Sequence, residues 1–178
     1  HYILMNFKKL IYIKILILFF SSFASANAKI VYLDLDFIVK NSIAGKKLFK
    51  DLGKTQLDEN KKFDKEFQNL KKVETKIISQ KKIITTDAYD IKIKEFKNNV
   101  EDFNKKRKSY LSEFNKKKDL YISELIKQIN LILSNYSEKN SITLIMHRKN
   151  IIIGKTELDI TKDILILVDD KINNIIIK

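Results

Sequence analysis

The chain has no cysteine, no proline and no tryptophan, and only three of its 178 residues are glycine. Each absence excludes something. Without cysteine there is no disulfide, no thiol nucleophile, no Cys-bearing metal site and no acceptor for a lipid anchor. Arginine is nearly missing too: Arg107 and Arg148 are the only two among 35 basic residues. That counts against nucleic acid as a partner, because base-edge and phosphate forks favour the guanidinium group. Histidine is confined to His1 and His147, and no acid stands near His147 in sequence to make it a base.

What the chain does have is positive charge. Its 35 basic and 22 acidic residues give a formal +13, and such an excess points to an anionic partner. A high content of Lys, Ile and Asn is also what an AT-rich genome produces, so charge alone does not identify that partner.

The N-terminus carries a processing signal. With Met5 read as the initiator and His1 to Leu4 as upstream sequence, "NFKK" forms a basic region. "LIYIKILILFFSSFA" follows as an apolar stretch, and "SANA" as a small-x-small cleavage site. The apolar run, about fifteen residues and interrupted by Lys14, is short for the ~20 residues of a spanning helix. Cleavage is expected between Ala28 and Lys29, with the bond after Ala26 as the alternative. It removes Lys8, Lys9 and Lys14 and no acid, leaving +10. The mature chain is therefore expected to be exported.

Three pieces follow from the patterning: residues 1–28 as leader, 42–139 as a helical arm, and 29–41 with 140–178 as a β-rich body with a C-terminal helix. In "KIVYLDLD", Val31, Leu33 and Leu35 alternate with Tyr32, Asp34 and Asp36, which predicts a strand. Asp34 and Asp36 would share a strand face, but nothing nearby supports a carboxylate pair, and Asp36 is placed to start the next helix.

From Ser42 to Lys139 the apolar residues keep helical spacing. Phe63, Phe67, Leu70 and Ile77 mark the first half. Phe96, Val100, Phe103, Arg107, Tyr110, Phe114, Lys117 and Tyr121 follow alternating steps of four and three in the second, a heptad seam with two basic interruptions. The rhythm breaks at "KKIITTDAYD", where Thr86 or Asp87 can cap a new helix. Two long helices joined near Ile84 to Asp87 are predicted, and an arm of ~40 residues per helix reaches about 60 Å. The seam holds more Phe and Tyr than Leu, so some rings are expected to stay partly exposed. Ile83, Ile84 and Tyr89 sit near the tip, where a plain spacer would be polar.

In the last piece, "SITLIMHR" and "NIIIGKT" read as a hairpin turning at Arg148 to Asn150. "DITKDILILVDDKIN" reads as a helix with Thr161 as cap and Asp163 in its first turn. Gly154-Lys155-Thr156 imitates the end of a phosphate loop, but such a loop needs a glycine at position 149, which is lysine. Gly45-Lys46 fails likewise, with lysine at position 40. No nucleotide site, metal site or nucleophile–base pair is legible, so no enzyme and no cofactor is expected.

"KIVYLDLDFIVKNSIAGKKLFKDL" at one end and "DITKDILILVDDKIN" at the other resemble the opening and closing segments of the Skp/OmpH-like periplasmic chaperones. A leader, a lysine-rich heptad arm and a strand pair complete the order. The resemblance covers roughly Lys29 to Asn174 and departs from it at Ile43, where the family often has proline. It implies an α+β fold, with a small β-rich body carrying a long antiparallel coiled-coil hairpin arm, assembled as a homotrimer. Body residues Val31, Leu33, Leu35, Leu144, Ile151 and Ile153 would take part in that assembly. It also implies a periplasmic, ATP-independent holdase for unfolded outer-membrane β-barrel proteins. Lys81, Lys82, Lys92 and Lys94, with Ile83, Ile84 and Tyr89, would contact clients, anionic lipid or lipopolysaccharide at the arm tip. A basic coiled-coil scaffold, or a protein binding nucleic acid or an anionic surface, is the alternative. The leader and the even spread of basic residues argue against nucleic acid.

Overall fold

The computed structural model describes residues 28–173 and 175. Met5, the apolar run and the Ala26 cleavage position lie outside the described residues. Ala28 and Lys29, the other two cleavage residues, are exposed at the start of the described chain.

Strand β1 (Lys29–Leu33) leads into a short helix α1 (Leu35–Asn41). The expected strand is thus cut short at Leu33, because the Asp34 carboxylate accepts the Phe37 N–H and starts a helix. Asp34 is the cap, Asp36 lies in the first turn, and the two do not share a strand face. Leu35 begins the helix and is half-buried there.

Helix α2 (Ile43–Gln80) runs out along the arm, and α3 (Thr86–Lys139) returns over 54 residues. At ~1.5 Å per residue they extend about 57 and 81 Å. Ser42 separates α1 from α2: its backbone is extended, its N–H closes α1 on the Ile38 carbonyl, and its hydroxyl accepts the Gly45 N–H. Gly45 is required by crowding, since a Cβ there would lie 1.8 Å from the Val39 carbonyl oxygen. At the far end Thr85, one residue before the expected caps, accepts the Ala88 N–H. Ser141 then leaves α3 with φ of 52°, a left-handed conformation that glycine adopts at less cost.

Strand β2 (Ile142–His147) pairs in parallel with β1, Val31 opposite Ile145 and Leu33 opposite His147. The whole arm is the crossover that a parallel pair requires. The expected hairpin after β2 does not form. The His147 Nδ1 accepts the Lys149 N–H and turns the chain into a 3-10 turn at Arg148–Asn150. Residues 151–155 then run without strand structure toward the other edge of β1. There Ile160 N–H bonds to the Tyr32 carbonyl at 2.9 Å, and Asp159 bridges Tyr32.

Helix α4 (Thr161–Lys171) closes the body. One core is built from Val31 and Leu33, Ile38 and Val39, Ala44, Leu48 and Leu52, then Leu125, Ile129 and Ile132, and finally Ile160, Ile164, Val168, Ile172 and Ile175. Within each long helix these residues recur at three- and four-residue steps, which puts them on one face. The start of α2 and the end of α3 therefore help to hold the body, and the rest of the hairpin out to its tip extends beyond them.

Candidate functional site

Among the described residues no cluster of His, Cys, Asp and Glu could hold a metal ion. No described helix is long and apolar enough to cross a membrane. Gly154, the centre of the false phosphate motif, has a packing role: a Cβ there would come within 2.8 Å of the Tyr32 ring, whose hydroxyl donates to the Lys155 carbonyl. The glycine lets the chain pass beneath the ring.

The arm is closed by aromatic rings. Phe63 meets Phe103 edge-on with centroids 6.0 Å apart and lies 5.6 Å from Tyr110, while Tyr110 stacks on Phe114. Such pairs add about 0.5–1.5 kcal/mol beyond their burial. Phe63, Phe103 and Phe114 are buried, but Phe67, stacked on Phe103, stays 44% exposed. Outside the seam, Lys106 pairs with Glu66 across the two helices at 2.9 Å. Burial raises the Tyr110 phenol above its usual value, and nearby Glu59 pushes it the same way. The partly exposed seam expected from its phenylalanines is thus found at Phe67, while other rings close the interface.

At the tip, Lys81, Lys82 and Lys94 are exposed, Ile83 is 79% exposed, and Ile84, Tyr89 and Lys92 are half-buried. The Lys81 ammonium stands 6.0 Å from the Tyr89 ring centre. Ile78 and Ile91 add exposed apolar surface to the adjoining turns. Exposed lysines and aliphatic side chains thus lie on the turn and on the helix ends that adjoin it.

At the body, Val31 and Leu33 are buried inside the chain itself, Leu35 and Ile151 are half-buried, and Leu144 and Ile153 are exposed, Ile153 at 92% with its neighbour Ile152 at 98%. The outer side of β2 borders a groove of about 460 Å3 lined by Leu33, Leu35, Leu133, Leu144 and Met146. Sequence reasoning did not find the placement of His147, 3.9 Å from Asp36. The two are distant in sequence, and only the parallel pairing of β1 with β2 joins them.

The body is tied together by Asp159-Ile160-Thr161. The Asp159 carboxylate accepts both the N–H and the hydroxyl of Thr161, whose oxygen accepts the Asp34 N–H at 2.9 Å. Thr161 is thus the first residue of α4 and not its cap. Its hydroxyl holds the residue that follows β1.

A small sheet-based body with one long helical hairpin defines a class of arm-bearing architecture. Residues 29–167 match the family described as outer membrane protein (OmpH-like), and the chain belongs to that family. The fold is also similar to the crystal structure of an OmpH-like protein from Caulobacter crescentus CB15, assigned there as an outer membrane chaperone. That structure has a TM-score of 0.77 at 15% identity, over 86% of this chain and 90% of the other. No curated protein matches the chain.

Proposed function

We propose that this protein is an ATP-independent periplasmic holdase that binds unfolded outer-membrane proteins and keeps them from aggregating. The observation that carries this reading is the arm, which offers rings and aliphatic side chains to solvent along a lysine-rich surface. Its family membership supports it. Many weak contacts on a slender projection suit a partner with no fixed shape. A protein that binds only the unfolded chain withdraws it from aggregation by mass action and needs no nucleotide.

Assembly into a trimer belongs to the same proposal. Ile152 and Ile153, nearly fully exposed in the segment that follows β2, give the body apolar surface to bury against other copies. The lysine-bearing tips would draw anionic client segments, anionic lipid headgroups or lipopolysaccharide by long-range attraction.

The test is direct. Protein from Lys29 onward is sized by chromatography with light scattering, alone and after a urea-unfolded barrel protein is diluted into it without nucleotide. A trimer that becomes a soluble complex with one client supports the proposal. A monomer that leaves the client to precipitate refutes it.

A further inference from the structure

Midway along the arm, one flank of the aromatic seam is open. Phe63, Phe67 and Phe103 form its floor, and Asn60 and Asp64 from α2 with Asn104 and Arg107 from α3 form its walls, around a notch of about 410 Å3. This size falls within the range of pockets that accept small organic groups, roughly 300 Å3 upward. The short side chains of Asn60, Asp64 and Asn104 leave this flank of the ring cluster open. Phe67 shows this most clearly: it stacks on Phe103 with centroids 6.3 Å apart, yet is 44% exposed. The exposed Lys71 ammonium stands over this ring, 5.2 Å from its centre, so a ligand ring that stacks on Phe67 takes the place of that lysine.

Arg107 is the second unusual element. It occupies a position of the heptad seam where an apolar residue would close the interface, and among the described residues no carboxylate lies within ion-pair distance of it. This exposed guanidinium shares the notch with the Asp64 carboxylate without pairing to it, so its N–H groups can donate to a ligand's oxygen acceptor, and its plane also stacks on rings.

We propose that this notch takes one tyrosine side chain of an extended, unfolded polypeptide, the ring stacking on Phe67 and the phenol oxygen accepting from Arg107 or an asparagine amide. The inference rests on the holdase reading only for where such a chain comes from: strands of outer-membrane barrels carry girdles of aromatic residues. It adds a chemical preference to a surface otherwise expected to bind without one.

The full chain is tested by fluorescence anisotropy with two fluorescein-labelled ten-residue peptides, one alternating Tyr and Thr, the other with Leu at every Tyr. The Tyr peptide is expected to bind about fivefold more tightly than the Leu peptide. Arg107→Gln should abolish that preference and leave binding of the Leu peptide unchanged, whereas Phe67→Ala should abolish it and weaken binding of both peptides. Circular dichroism checks that both variants keep their helix content. Arg107→Gln, which removes no packed ring, serves if Phe67→Ala loosens the arm. Equal binding of the two peptides, or a preference that survives both substitutions, overturns the notch. In parallel, the unsubstituted protein is tested for holding a diluted barrel protein in solution. Success there without peptide preference removes the notch and leaves the holdase standing; preference without holding removes the holdase and leaves the notch.

Discussion

The hydroxyl of Thr161 accepts the backbone N–H of Asp34 at 2.9 Å, joining the first residue of the last helix to the residue that caps the first. The same hydroxyl donates to Asp159. Replacing Thr161 with Val keeps the shape but strands a partly buried N–H, which costs about 1–3 kcal/mol. Thr161→Ser retains the acceptor and should recover much of that loss. Urea unfolding midpoints of the two variants measure it; equal midpoints would show that the link carries no stability.

Two helical glycines should respond in opposite directions to the same change. A methyl group at Gly45 would collide with the Val39 carbonyl, while a Cβ at Gly53 meets nothing within 4 Å. Gly45→Ala is expected to destabilise by about 1–3 kcal/mol through overpacking. Gly53→Ala is expected to stabilise by about 1 kcal/mol, because alanine orders at less cost in a helix. Thermal melts followed by far-UV circular dichroism would separate them.

Reversing Lys81, Lys82, Lys92 and Lys94 to glutamate removes the cationic character of the arm tip. If the tip steers anionic partners, affinity for an unfolded barrel protein should fall by about tenfold at low ionic strength, with a much smaller difference at ~1 M salt. Titrations at both salt concentrations decide the matter, and an unchanged salt dependence would rule the tip out.

At the body, burial raises the Tyr136 phenol above its usual value, and the Asp163 carboxylate, which accepts its hydroxyl at 3.2 Å, adds to the rise. The folded chain therefore holds this proton more tightly than the unfolded chain does. The resulting stability is complete below the unfolded tyrosine value of about 10 and is lost as pH rises through the folded value. Tyr136→Phe should flatten the alkaline decline of the unfolding midpoint and leave the shape of its pH dependence near neutrality unchanged. Denaturant titrations across that range would show it.

The arm was legible because helical spacing is local: Phe63, Phe103 and Phe114 announce their buried faces within a few residues of sequence. The caps were found only to within one or two positions. Thr85, Thr86 and Asp87 can all accept an amide, and which one does depends on where the helix is forced to begin. The false hairpin has a different origin. Ile151 to Ile153 has the composition of a strand, but a strand needs an edge, and the chain turns at His147 toward β1 instead. Of the surfaces proposed to bind, the exposed tip could be read from sequence. The open notch at Phe67 could not, since it depends on which residues of α3 stand opposite Asn60 and Asp64.

The parallel pairing of β1 with β2 joins Lys29 to Ile142 across the full length of the arm, and the consequence is one of timing. Bringing two strands together over so long a connection is entropically costly and slow when the connection is a random chain. Here the connection folds on itself first, because its contacts are local helical ones and its two halves are antiparallel. Once the hairpin has zipped, the two strands stand side by side and little closure remains. The arm is thus also the device that brings the body's ends together. During synthesis β1 emerges long before its partner, so the body assembles last, with the projection already in place.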